Sequence, residues 1–559
     1  MDLRRIVANS IETELLTSDE LYQALTLSVD EKNGDVCLPC FKLAKTLRKS
    51  PMMIAEQIKA CVKESDLIEK VESVSGYLNF FLSKQKVSET ILSEIASKGE
   101  EYKPFDKNGK TVCIDYSSIN IAKPFHIGHL LTTVIGGSLY RIYKYLGYET
   151  VGINHLGDWG TQFGKLIVAY KKWGNDEDIE KRTIKALLDL YVRFHKEAEV
   201  DESLNEEGRY WFKQIEEGNE EALAIFEKFK TITLKEVNKV YDKLGIKFDS
   251  YAGESFYNDK MQPVIDELTE KNLLVESEGA KVVNLDEYNM APCLILKKDG
   301  ATLYATRDLA AAFYRKQTYN FDKCLYVVAY QQNLHFKQVF KVVELMGYDW
   351  ANKLVHVPFG MVSLEGSTLS TREGNVVFLE DVLNSSVDKV KAVMKEKNTD
   401  EEDGVAEKVG VGAVIFYALS SARIKDLVFS YDKALSFEGE TGPYLQYTHA
   451  RCRSVIKKAG QVDGKFDISA LDSPSAYEVI KLLNEYDSTV IEAGEKYEPS
   501  VISHYLISLA KAYNKFYLEN RIVVEDKDVT YTRVLFTKYV ADALKNGLGL
   551  ILIDAPNKM

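Results

Sequence analysis

The sequence predicts an α/β protein: a central parallel-sheet domain, an α+β domain before it and an all-helical domain after it. Three observations carry this. From Thr111 onward, short apolar runs (TVCIDYS, ETVGINHL, KCLYVVAY and LVHVPFGM) alternate with helical periodicity, the pattern of buried strands with helices on both faces. Residues 1–84 mix helical periodicity with short strands and end in GYLNFFLS, whose alternating apolar and aromatic residues read as a strand. After about residue 395 the period is helical almost to the last residue.

The boundaries follow from composition. A chain of 559 residues exceeds what one hydrophobic core organises. The polar stretch KGEEYKPFDKNGK closes a first domain, 1–104. The sheet domain spans 105–394 and is interrupted between about 167 and 300 by a charged insertion, opening with DEDIEKRTIKALLDLYVRFHKEAE, that is too long for one crossover. A helical connector, 395–440, leads to a helical terminal domain, 441–559.

With 45% apolar and 28% charged residues the chain reads as globular. A net charge of −13 argues against non-specific coating of nucleic acid and leaves room for a local basic groove. The opening MDLRRIVANSIETELL soon gains Glu12 and Glu14, and no apolar run approaches ~20 residues, so neither a secretion signal nor a membrane span is expected and the compartment reads as cytoplasm. Seven scattered cysteines fit free thiols. Cys37 and Cys40 form a CxxC, but no second CxxC completes a zinc set; they read as small apolar residues at the start of a helix, and no metal site is expected.

Chemistry concentrates in DYSSINIAKPFHIGHLL, 115–131. A strand ending at Asp115 and Tyr116, a turn through Ser117, Ser118 and Asn120, and a helix opening near His126 place a helix N-terminus where an anion binds. His126 and His129 fall on one helical face, and Gly128 leaves room for a flat ring. Two imidazole donors there can stabilise charge on a pentavalent phosphate.

This stretch, with INHLGDWGTQFGKL, LYATRDLAAAFYR, VVAYQQNLHFKQ and FGMVSLEGSTLSTREGNVVFLEDVL, resembles the arginyl-tRNA synthetases of class I, along nearly the whole chain. HIGH marks the class; the Asn-Ile-Ala-Lys-Pro lead-in and GDWG mark the arginine member. The resemblance implies a Rossmann-like catalytic domain, the substrates ATP, L-arginine and tRNA(Arg), Mg²⁺ carried by ATP, and a monomer. It makes Lys123, His126 and His129 catalytic, and sets ATP against Phe125, His126, Gly128, His129, Gly360, Met361, Val362 and Thr371. Class I enzymes usually carry a lysine-rich KMSKS loop; here the matching Thr368–Gly374 has no lysine, and Lys123 is expected to compensate, with Arg372 assisting.

A guanidinium is planar, forked and permanently charged, so its pocket should offer carboxylates and carbonyls in matching geometry. Tyr304 and Asp308, four apart, share a face if the run is helical. By resemblance they contact the guanidinium, with Asp115 standing where the family often has glutamate and Gln332 closing the pocket. Asn120 and His155 hold the α-amino and carboxylate end, and Asp158 and Trp159 shape the wall. Taken alone, Asp308 could instead pair with Arg307 or Arg315.

Residues 442–459 read as an amphipathic helix presenting Tyr444, Tyr447, Arg451, Arg453, Lys457 and Lys458, aromatics and cations suited to unpaired bases and phosphates. The resemblance adds Tyr513, Asn514 and Met559 in an anticodon-binding domain, and Tyr77 and Asn79 where the bacterial family reads a D-loop base. It also implies that tRNA must be present before arginine is activated. Two rival readings are disfavoured. A HIGH-superfamily nucleotidyl transferase acting without RNA is disfavoured by the flanking domains, and a non-catalytic tRNA-binding relative by the retained histidines and Lys123. A dehydrogenase fails because no G-x-G-x-x-G follows the first strand of the sheet.

Overall fold

Four in-register parallel strands form the sheet that the apolar runs predict: β1 (Thr111–Asp115), β2 (Glu149–Ile153), β3 (Lys323–Tyr326) and β4 (Leu354–His356), in the order β4-β3-β1-β2. This computed structural model describes residues 1–28, 31–98, 102–298, 300–365, 376–396 and 404–559. After β1 the chain steps to β2 on one side, while β3 and β4 lie on the other. A crevice therefore opens at the carboxyl ends of β1 and β3, the switch point where such sheets bind ligands.

Helix α1 (Leu130–Tyr145) follows β1 and is buried along most of its length. It starts later than the sequence reading placed it. His126 is extended and caps a 3₁₀ turn, Ile127–His129, so the histidines lie on the turn that feeds the helix. The insertion supplies helices that include α2 (Glu220–Leu244) and a three-stranded antiparallel ribbon, Leu274–Ser277, Ala280–Val283 and Cys293–Leu296. Val283, Cys293 and Ile295 of the ribbon join Cys113 and Tyr326 of the sheet in one core cluster, with Leu309 of α3 (Tyr304–Tyr319) and Phe336 of α4 (Asn333–Leu345). The insertion thus helps seat α3 against the sheet. A two-stranded parallel pair, β5 (Val362–Leu364) with β6 (Leu427–Phe429), lies beyond β4 in the chain.

The described residues divide into two compact units. One holds residues 103–451, 487–507 and 544–559, including the sheet. The other holds 1–102, 452–486 and 508–543. Its four strands, Thr26–Leu27, Val36–Pro39, Tyr77–Leu82 and Ile68–Val74, pair antiparallel in that order. Cys40 is buried at the start of helix Phe41–Leu47, with its thiol 3.6 Å from the Leu38 carbonyl.

Candidate active site

The loop leaving β1 is held in a conformation that its residues do not favour. Ser117, Ser118 and Ala122 all take positive φ, at 69°, 43° and 59°. Each such residue costs on the order of 1–3 kcal/mol and persists only where its surroundings fix it. The surroundings here do so. Ser117 donates its N–H to Thr132 Oγ1 (3.0 Å), and its hydroxyl bonds those of Thr133 (2.9 Å) and Tyr241 (2.7 Å). Ala122 donates to Thr233 Oγ1 at 3.0 Å, and Ile121 to the Gly157 carbonyl at 3.1 Å. The GDWG glycine is demanded by this packing, because a Cβ at Gly157 would sit 2.2 Å from Asn120 Oδ1. Asp158, fully buried, accepts from the Ser255 N–H (2.8 Å) and from Lys230 Nζ (2.9 Å), a wall-building role.

On the turn that follows, Gly128 donates its N–H to His126 Nδ1 at 3.0 Å, so that nitrogen carries no proton and Nε2–H is the free donor. His129 Nδ1 lies 3.3 Å from both the N–H and the carbonyl of His126, and the ring centroids are 4.1 Å apart. The ring that requires a glycine at 128 is His126's own, since a Cβ there would come 2.7 Å from its Cε1. Burial pushes the His126 imidazole down from its usual range, and burial together with the neighbouring His126 pushes His129 down to about 3. Both rings are therefore neutral at physiological pH, and Nε2–H of His126 is the donor that the turn leaves free. Burial also lowers the Lys123 ammonium, opposed by the Glu254 carboxylate. Phe125 is buried against the His129 ring at 5.3 Å.

The HIGH turn is stitched to the chain just beyond the degenerate signature. Ile127 donates to the Val377 carbonyl (3.0 Å) and Leu379 to that of Phe125 (2.9 Å). Thr368–Gly374, including Thr371 and Arg372, lies outside the described residues. Before it, Gly360 and Val362 are buried and Met361 is 45% exposed.

Across the crevice the carboxylates already have partners. Asp308 Oδ2 lies 2.6 Å from His335 Nε2, a partner the sequence reading missed. Burial opposes the charged form of Asp308, but the His335 hydrogen bond and the charges of His335, His155 and Arg315 outweigh it and hold the carboxyl below its usual range. Asp115 accepts from Arg315 Nη2 at 2.7 Å and from the Ser118 hydroxyl at 2.8 Å. Arg315 is 1% exposed and its Nε and Nη1 have no hydrogen-bond partner. The ion pair weighed for Asp308 thus belongs to Asp115. His155 lies 3.5 Å from Arg315 Nη2 and against the Tyr257 ring. Tyr304 stands one turn before Asp308 on α3 and is 69% exposed; Gln332 is exposed at the start of α4. Glu254, from the insertion, is a second missed residue: burial pushes its carboxyl up to about 7, against the Arg307 charge.

The residues expected at RNA are placed unevenly. Tyr77 is exposed and edge-on to Phe41 at 5.2 Å, whereas Asn79 is only 5% exposed. Tyr444 is half-buried, and the Arg451 guanidinium lies 4.9 Å over the exposed Tyr447 ring. Asn514 is half-buried. Met559 is half-buried, packed against a cluster containing Val390, Val405 and Val409. One expectation needs correction. Tyr513 is fully buried, its hydroxyl 3.2 Å from Thr537 Oγ1, and belongs to the helical core.

Comparison with known proteins gives the family. Residues 91–431 match the family described as tRNA synthetases class I (R), catalytic domain; 1–82 match the arginyl tRNA synthetase N terminal domain, and 445–559 the DALR anticodon binding domain. The arginine–tRNA ligase of Alkaliphilus metalliredigens is 50% identical over 564 residues, covering 100% of both chains. The chain belongs to the arginyl-tRNA synthetase family. The arginine–tRNA ligase of Clostridioides difficile is likewise 50% identical over the full length of both chains. Among solved structures, Thermus thermophilus arginyl-tRNA synthetase superposes with a TM-score of 0.84 at 25% identity, covering 100% of each chain.

Proposed function

We infer that the chain is an arginine–tRNA ligase that activates L-arginine with ATP and transfers it to the 2′-OH of the terminal adenosine of tRNA(Arg). The observation that carries the reading is a half-buried turn presenting His126 as donor, together with the half-buried Asp308 carboxylate held ionised beside His335, in a family member aligned end to end with arginine–tRNA ligases. ATP lies along Phe125–His129 and the Gly360–Val362 edge. The arginine carboxylate oxygen attacks the α-phosphorus in line, the bond to the β-phosphate bridge oxygen breaks, and pyrophosphate leaves. His126, His129 and Lys123 donate to the oxygens on which charge accumulates. The 2′-oxygen of the tRNA then attacks the adenylate carbonyl, AMP departs, and no covalent enzyme intermediate forms.

Asp308 reads the guanidinium, oriented by His335, while Asn120 and His155 take the α-amino and carboxylate end. Tyr304 and Gln332, both exposed at the rim, close over the bound amino acid, and Thr371 completes the ATP side. Asp115 contributes through whatever acceptor capacity Arg315 and Ser118 leave it. Mg²⁺ would arrive on ATP, where it would neutralise phosphate charge. Tyr77, Asn79, Tyr444, Arg451, Asn514 and Met559 are the proposed RNA contacts. The chain is read as a monomer, and its seven free cysteines fit the cytoplasm. Among the described residues no helix is long and apolar enough to cross a membrane.

Charging of total tRNA with each amino acid in turn tests this reading. Only arginine should be attached, with release of pyrophosphate. Charging of another amino acid, or of none, would overturn it.

A further inference from the structure

The ATP edge is held by a segment that no sequence signature singles out. Gly360 donates its N–H to the Arg423 carbonyl at 2.8 Å, and Met361 donates to Asp426 Oδ1 at 2.7 Å. Leu427 returns a bond to the Met361 carbonyl at 2.7 Å, where β5 and β6 begin to pair. The approach is close enough that a Cβ on Gly360 would lie 2.3 Å from the Lys425 carbonyl oxygen.

Arg423 also ties this edge to a third segment. Its Nη1 donates to the Pro358 carbonyl at 2.7 Å and its Nε to the Tyr497 carbonyl at 3.0 Å. Its backbone N–H is shared between the two carboxylate oxygens of Glu498, at 3.2 and 3.3 Å. Tyr497 ends helix Tyr486–Lys496 with φ of 54°, a turn that aims its carbonyl away from the helix and that a non-glycine residue holds only under constraint. Glu498 in turn accepts from the Ser500 hydroxyl at 3.0 Å, at the start of helix Ser500–Glu519. A guanidinium suits this junction because its fixed fork can satisfy two carbonyls on different segments at once.

We propose that Arg423 is a positioning residue for ATP: it fixes Pro358–Met361 against the helical segment ending at Tyr497–Glu498, so that the ATP edge is set only while that segment is in place. The proposal rests on the reading of Gly360–Val362 as the ATP edge of an arginine ligase. No contact between Arg423 and substrate is involved. Losing the guanidinium releases two carbonyls and loosens the edge, leaving Asp308 and His335 in place across the crevice.

The test uses the full chain and arginine-dependent pyrophosphate exchange with saturating tRNA. Arg423→Met should raise the KM for ATP about tenfold, the worth of one to two lost hydrogen bonds, while the KM for arginine stays within about twofold. Arg423→Lys, which keeps the charge and can reach only one of the two carbonyls, should lie between wild type and Arg423→Met, and it carries the test if the methionine variant does not fold. An unchanged KM for ATP in the lysine and methionine variants, or a parallel rise in both KM values, overturns the proposal while normal wild-type exchange leaves the arginine-ligase reading standing. A wild-type chain silent with arginine, ATP and tRNA overturns that reading and the inference with it.

Discussion

The two sides of the crevice solve opposite electrostatic problems. The proposed phosphate side, Phe125–His129, carries imidazoles that burial keeps neutral, held by backbone bonds inside one short turn. The proposed arginine side consists of charges compensated by residues far away in sequence: Asp308 by His335, Asp115 by Arg315. A neutral N–H can be buried without a counterion and still bind most strongly when negative charge builds up, so it acts on the transition state. A buried carboxylate needs an internal partner until the substrate arrives, so it acts on ground-state binding. The first side should therefore govern rate and the second affinity.

The largest expected effect tests the rate side. His126→Ala or His129→Ala should lower the charging rate roughly 10²–10³-fold with a small change in the KM for arginine. Single-turnover adenylate formation is the direct readout. A double variant that keeps near-normal rate would remove the catalytic role of the turn.

Asp308→Asn tests the affinity side. It removes the charged partner of a desolvated guanidinium and should raise the KM for arginine by the equivalent of about 2–4 kcal/mol. The KM for ATP should move much less. An unchanged arginine KM would place recognition elsewhere, and an equal fall in rate alone would erase the contrast between the two sides.

Lys123 sharpens the comparison because it is a cation on the side of neutral donors. Lys123→Ala should depress charging more than Arg372→Ala does, since Lys123 is half-buried three residues before the HIGH turn. The reverse order in steady-state kinetics would return the phosphate role to the degenerate loop.

What could be read from the sequence follows the same division. The donor turn is local: His126, Gly128, His129 and Lys123 lie within seven residues, and spacing alone places them together. The four strands were legible for a similar reason, because buried parallel strands are short apolar runs. The compensating partners were not legible. His335 stands 27 residues from Asp308, and Arg315 stands 200 from Asp115, so only the folded chain pairs them. Tyr513 failed for another reason. In a helix buried on several faces, an aromatic or apolar residue gives the same periodic signal whether it meets RNA or the core. Glu254 gave no signal at all, because a single glutamate in a charged insertion looks like any solvated one.

That glutamate provides the smallest and most specific prediction, because its charge acts on both sides. It raises the Lys123 ammonium on the phosphate side and responds to Arg307 and Asp308 on the arginine side. Burial raises its carboxyl to about 7, above the ordinary value of about 4.3 in an unfolded chain. The folded state therefore holds the proton more tightly than the unfolded state. The stability this contributes is fully present below the unfolded pKa and is lost as pH rises through the folded one. Glu254→Gln, which fixes the neutral form, should match wild type in thermal stability near about pH 4 and become progressively more stable than it as pH rises to about 8. Melting curves of both proteins across that range are the measurement. Parallel curves would mean that Glu254 is ionised alike in both states, and a variant losing ground as pH rises would mean that its charge is stabilised by Lys123 and Arg307 more than burial penalises it. In that case the arginine side would own a third compensated carboxylate, and the boundary between the two sides would move to Lys123.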